Sequence, residues 1–207
     1  MHISEADTLE CTLPRFVSRG GLKLLSAINE CNIRLDNRVC LDVGASTGGF
    51  TDCMLQHRAA FVHAVDTGTS QLHESLLQNP RVNKLENTNI LNIHTLSPVP
   101  SFAAVDVSFV SVTKILPHIC SLLAIEDVAD DEAIIAVLVK PQFECGRSAL
   151  SKRGVVHDKR TQLQAVELVC AQLGQLLKSR QALHTAPSPI LGGNSKHGGN
   201  TEFLVVF

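Results

Sequence analysis

The chain has 207 residues, a formal net charge of −2, 44% hydrophobic and 18% charged residues. This balance describes a globular domain with a real core, and it argues against a disordered chain or a basic domain that grips nucleic acid by charge alone. Its seven cysteines form no CxxC pair and are odd in number, which excludes a zinc knuckle or a disulfide scaffold, and no apolar stretch reaches the ~20 residues of a membrane span.

Residues 1–15 carry no periodicity and end near Pro14, which predicts an extended lead-in to a domain over 16–207. Ser18 then precedes Leu22, Leu25 and Ile28 at helical spacing, with Ser18 as N-cap. Beyond it, apolar runs predict strands over 39–43, 60–66, 82–85, 103–106, 133–140, 181–185 and 202–207. Amphipathic segments predict helices over 50–56, 70–78, 112–123 and 159–179, the last burying Leu163, Val166, Val169, Cys170 and Leu173. Strands alternating with helices imply a parallel, doubly wound sheet covered on both faces. The segment 187–199 is too long for an ordinary connection, which marks it as functional. The N-terminus lacks a signal-peptide layout, so the sequence predicts a cytoplasmic protein.

The densest signal lies where the first strand meets its turn, Asp42-Val-Gly-Ala-Ser-Thr-Gly-Gly-Phe50. A buried strand, a glycine turn and a helix N-terminus together present backbone N–H groups to a ligand. Asp66 closes the next strand, where an acid holds a ribose. A dinucleotide fingerprint needs a glycine at the position of Ser46, so NAD is disfavoured. Asp42, two residues before the first glycine, repels pyrophosphate but suits an ammonium group. S-adenosylmethionine has that distribution, with a cationic methionyl end and a ribose.

Asp106 and Lys140 each end a later apolar run, and residues just past such strand ends face the ligand crevice. Pro141 holds Lys140 extended. A lysine finishing a buried strand is unusual unless paired. Read alone, Lys23 is a solvated helix residue and Glu202 an exposed strand-end acid. Two lysines and two acids at a methyl donor suit transfer to a hydroxyl, where the protein positions and deprotonates the acceptor. Burial and a second ammonium lower a lysine's pKa while carboxylates raise it, so Lys140 is open to reading as base or as orienting donor.

Taken in order, Phe16-Val-Ser-Arg-Gly-Gly-Leu-Lys23, the turn over 42–50, Ala-Val-Asp66, Asn87-Thr-Asn-Ile, Asp106-Val-Ser-Phe-Val-Ser, Val-Lys140-Pro-Gln-Phe-Glu144, Gly154-Val-Val, Ser188-Pro-Ile and Glu202-Phe-Leu resemble the TlyA (haemolysin A) family of FtsJ-like ribosomal RNA 2′-O-methyltransferases. The resemblance implies a Rossmann-like methyltransferase fold with a mostly parallel seven-stranded sheet and an antiparallel last strand. It implies Lys23, Asp106, Lys140 and Glu202 as the catalytic set. It further implies S-adenosylmethionine held by Asp42, Gly44, Ala45, Ser46, Thr47, Gly48, Gly49, Phe50, Asp66, Thr67 and Asn89, with no metal. Ribosomal RNA or a ribosomal subunit is the implied partner, and a membrane is not. Family members carry an N-terminal RNA-binding domain, and here the catalytic domain is expected to stand without it. Residues 67–70 and 191–199 depart from the family pattern. Arg15, Arg19, Lys114, Lys152 and Arg153 are candidate phosphate contacts. The competing class is a ribosome-associated module that binds S-adenosylmethionine without efficient catalysis. Membrane lysis finds no amphipathic basic helix to support it.

Overall fold

In the computed structural model, the structure describes residues 15–124, 133–178, 181–192 and 199–207. The predicted lead-in therefore lies, except for Arg15, outside the described residues. Seven strands form one sheet: β1 (Val39–Val43), β2 (Phe61–Val65), β3 (Val82–Leu85), β4 (Phe102–Val105), β5 (Ile134–Val139), β6 (His184–Pro187) and β7 (Phe203–Val206). Their order is β3-β2-β1-β4-β5-β7-β6. The first five run parallel, and β7 lies antiparallel between β5 and β6. The expected mostly parallel sheet with an antiparallel last strand is what forms.

Side chains alternate strictly across the sheet, as the twofold period of a strand demands. Leu41, Val43, Ala103, Val105, Ile135, Val137 and Val205 join one core with α4 (Leu116–Ser121) and α6 (Lys159–Leu176). Cys40, Val62, Ala64, Phe102, Ala104, Leu138 and Leu204 join the other with α1 (Gly20–Glu30) and α2 (Gly49–Gln56). Among the described residues no helix is long and apolar enough to cross a membrane.

Strand ends match the expected ones to within about two residues, but several helices do not. The predicted helix over 70–78 shrinks to α3 (Glu74–Leu77). Ser70 takes φ +52° and His73 is extended at ψ 142°, so the helix begins only at Glu74, and the Glu86 carboxylate accepts the N–H groups of Ser70, Gln71 and Leu72 at 3.1, 2.8 and 3.0 Å. Those N–H groups hold its carboxyl below the usual carboxylate range, and the segment forms a loop around it. The predicted helix over 112–123 breaks into a 3-10 turn, Val112–Lys114, and α4, because Pro117 has no N–H to continue the ladder. Ser18 is not the cap of α1. Arg19 holds that position without a side-chain bond, and the Ser18 carbonyl accepts the Gly21 N–H. In α6, capped by Asp158, Leu163 is 54% exposed and not in the core, which takes Ala165, Val166, Val169 and Leu173 instead. The sixth strand sits two to three residues later than expected, at the sheet edge where Pro187 is tolerated.

Candidate active site

The sheet reverses its order of construction between β1 and β4, and in open α/β sheets ligands bind at that point beyond the strand carboxyl ends. β1 ends in Asp42 and Val43, and the chain turns at Gly44 with φ +87°. A Cβ at Gly44 would meet the backbone carbonyl of Asp106, its carbon only 2.9 Å away. The turn therefore lies against the end of β4, where the Asp106 N–H also bonds the Val43 carbonyl at 2.9 Å. Ser46 adopts φ +47°, and its N–H donates to Asp66 Oδ2 at 2.8 Å. Asp66 Oδ1 accepts the Gly68 N–H at 2.7 Å. One carboxylate thus joins the turn after β1 to the turn after β2.

Two cavities flank this junction and share Gly44, Ser46, Asp106 and Ser108. The larger, about 630 Å³, lies over β2 and contains Asp66, Thr67 and Asn89 between apolar walls of Ile90, Leu91, Val107 and Ile115. The other, about 490 Å³, lies over β4 and β5 and contains Ala45, Thr47, Gly49, Phe50, Lys23, Lys140 and Glu202. Gly48 faces neither and packs against Leu72 and Leu76. Asn89 caps the turn Ile90–Asn92 by accepting the Leu91 N–H at 3.0 Å. Of the five candidate phosphate contacts, Arg19 alone lines a cavity.

Asp42 lines neither cavity. Its side chain is fully buried, accepts the Thr51 hydroxyl at 2.6 Å on Oδ2, and leaves Oδ1 without a partner. Burial pushes its pKa up to about 7; the Thr51 hydrogen bonds partly oppose this, and the charges of Asp106 and Asp66 add to it. The folded protein thus holds Asp42 protonated at pH values where the unfolded chain, near ~3.9, does not. Stability linked to this group is complete below about pH 4 and is lost as pH rises to about 7. The loss amounts to roughly 2–4 kcal/mol, or several degrees in Tm. Calorimetric melts from pH 5 to 8.5 should therefore show the stability of Asp42→Asn rising relative to the wild type up to about pH 7.5 and keeping a constant difference from it above that. Parallel curves across the range would refute the buried proton.

The four expected catalytic residues meet. Lys23 Nζ donates to Glu202 Oε2 at 2.6 Å and lies 3.9 Å from Asp106 Oδ2. Lys140 Nζ lies 2.6 Å from Asp106 Oδ1 and donates to Ser108 Oγ at 2.9 Å. The result is a chain, Glu202–Lys23–Asp106–Lys140–Ser108, with two positive and two negative charges cancelling in a shielded cleft. Neither Lys23 nor Glu202 matches its isolated sequence reading. Their side chains are 12% and 4% exposed. Lys23 reaches the cleft because α1 crosses α2 closely: a Cβ on Gly49 would strike Ser18 Oγ and lie 2.9 Å from the Gly21 nitrogen.

Sequence reasoning passed over two residues here. Ser108, shared by both cavities, is the second partner of Lys140. Phe109 is 92% exposed with φ +67°, an outlying conformation for a bulky residue, and its ring centroid lies 5.4 Å from that of Phe143. The available signal was an aromatic three residues beyond a strand-ending acid.

Sheet order, glycine turn and paired cavities define a doubly wound α/β domain with a charged cluster where two cavities meet beyond the strand ends. The chain belongs to the FtsJ-like methyltransferase family, whose model matches residues 16–207. It is 39% identical over 197 residues to YqxC of Bacillus subtilis, a protein provisionally named an rRNA methyltransferase, covering 92% of this chain and 65% of that one. It is 38% identical over 184 residues to the 16S/23S rRNA (cytidine-2′-O)-methyltransferase TlyA of Mycobacterium tuberculosis, covering 88% of this chain and 66% of that one. The chain thus spans just under two thirds of these relatives' length. A crystal structure of a provisionally named hemolysin from Lactococcus lactis superposes with a TM-score of 0.83 at 39% identity, covering 93% of this chain and 88% of that one.

Proposed function

We propose that the chain transfers a methyl group from S-adenosylmethionine to a ribose 2′-hydroxyl of ribosomal RNA. The observation that carries this reading is the ion-paired chain of Lys23, Asp106, Lys140 and Glu202 set where the two cavities meet. The names of the relatives point to the same acceptor, and the M. tuberculosis protein's name specifies cytidine. This reading carries a cytoplasmic location, with ribosomal RNA or a subunit as partner.

The residues present fit the donor. The Gly44 turn packs directly on the Asp106 carbonyl, and the two together form the floor where the cavities meet. Asp66, Thr67 and Asn89 would receive the ribose and base side, and the backbone over residues 44–47 the methionyl side. Asp42 would act through the turn it supports from below. When bound, S-adenosylmethionine supplies a methyl group already activated on a sulfonium.

The protein's own work is then placement and proton handling. An ammonium has three protons. Lys140, ion-paired to Asp106 and donating to Ser108, is placed to hold the acceptor oxygen, and the hydroxyl's own proton leaves to solvent through the open cleft as the new O–C bond forms. Lys23 and Glu202 fix Asp106 from its other side. Phe109 offers an exposed ring for a base lifted from its stack. Arg19 at the rim supplies a positive charge for phosphate.

Incubating the purified chain with methyl-labelled S-adenosylmethionine and small or large ribosomal subunits should place label in a 2′-O-methylnucleoside after digestion. Cofactor binding without RNA label would favour the non-catalytic module, and label confined to a base would reject ribose as the acceptor.

A further inference from the structure

We propose that Glu144 is a positioning residue that clamps the loop carrying Ser108 and Phe109 over the cleft, and for its functional consequence this rests on the ribose-methyltransferase reading. Glu144 ends α5 (Pro141–Glu144), the short helix that begins beside Lys140. Its Oε1 accepts the Val112 N–H at 2.8 Å, and its Oε2 accepts the Ser111 hydroxyl at 2.5 Å. Ser111 and Val112 end the loop that leaves β4 at Asp106 and carries Ser108 and Phe109.

Lys140, Phe143 and Glu144 stand at positions i, i+3 and i+4, which share one side of a helical turn. All three reach the same loop: Lys140 to Asp106 and Ser108, Phe143 to Phe109, and Glu144 to Ser111 and Val112. The first contact fixes the reaction centre. The last fixes the far end of the loop, where Val112 is buried at 2% exposure and its N–H depends on Glu144. Phe109 lies between them in a conformation that a bulky residue holds only under constraint. Without the Glu144 clamp the loop stays pinned at Asp106 while the Phe109 ring loses its fixed place. The acceptor nucleotide loses its ring platform, and the larger cavity, which Val107, Phe109 and Val110 also line, loses part of one wall.

The chain has no tryptophan, so F109W introduces a single reporter at the point in question. Time-resolved anisotropy should show the amplitude of its nanosecond motion rising at least about twofold when E144A is added. E144Q should restore it, because the amide oxygen accepts the Val112 N–H while its NH₂ donates to a Ser111 hydroxyl turned toward Thr113. S111A, which removes one of the two bonds, should lie between. In the Phe109 protein, E144A should raise the KM for ribosomal subunits about tenfold while kcat falls less than about threefold, and cofactor Kd should rise by a smaller factor, because Val107, Phe109 and Val110 also line the larger cavity. Thermal melts of each variant report whether it folds.

If the wild type labels no RNA, the substrate reading fails and the anisotropy alone decides the clamp. Equal anisotropy in F109W with and without E144A overturns the clamp, as does an unchanged KM in an active enzyme. An E144Q variant as impaired as E144A overturns the hydrogen-bond account.

Discussion

Lys140→Ala is expected to lower methyl transfer by about 10³-fold or more while leaving S-adenosylmethionine affinity within a few fold. Lys140 is the residue that joins Asp106 to Ser108, at 2.6 and 2.9 Å, at the boundary of the two cavities. Alanine removes the ammonium that lies against both Asp106 and Ser108. Lys23 cannot take its place, since it lies 3.9 Å from the other Asp106 oxygen and is committed to Glu202 at 2.6 Å. On the proposed reading the donor's contacts lie on the turn at Gly44 and around Asp66, apart from Lys140, so calorimetric binding of the cofactor should persist. Single-turnover transfer within tenfold of wild type would remove Lys140 from the reaction.

The largest loss of stability is expected from Gly44→Ala. Two costs add there. The left-handed conformation at φ +87° disfavours any side chain by about 1–2 kcal/mol. The new methyl would also press into the Asp106 peptide, which cannot retreat because β1 and β4 are hydrogen-bonded up to that point. Together they amount to roughly 3–5 kcal/mol, a fall in Tm of about 6–20 °C for a domain of this size. Cofactor affinity should fall as well, because the same peptide forms the floor between the cavities. Gly154→Ala is the control: φ is +72° there, yet a Cβ would meet nothing within 4 Å, so only the conformational cost applies. Equal losses at the two positions would show that crowding against Asp106 contributes nothing.

The strands were legible because each carries its own signal. The run 134–139 is apolar throughout and 39–43 is apolar except for Asp42, as suits strands covered on both faces. Helix limits were less legible where the conformation of single residues decided them. Ser70 at φ +52° and the extended His73 delay α3 to Glu74, which the pattern over 70–78 does not show. Leu163 satisfied the helical period yet points to solvent, because periodicity does not say where the sheet ends. Ser108 and Phe109 were readable only as neighbours of Asp106, since their roles come from Lys140 and Phe143 on the next strand's exit.

By itself the sequence determined the glycine turn, the strand-ending acids and the alternation of strands and helices, because each arises from residues within a few positions of one another. Tertiary structure alone decided that Lys23 and Glu202, 179 residues apart, form an ion pair in the cleft. That pairing needs β7 inserted antiparallel beside β5 and α1 drawn across α2 at Gly49. It also decided that Asp42 supports the turn from beneath and does not line the cleft. A carboxylate's burial depends on what packs over it, and no local pattern encodes that.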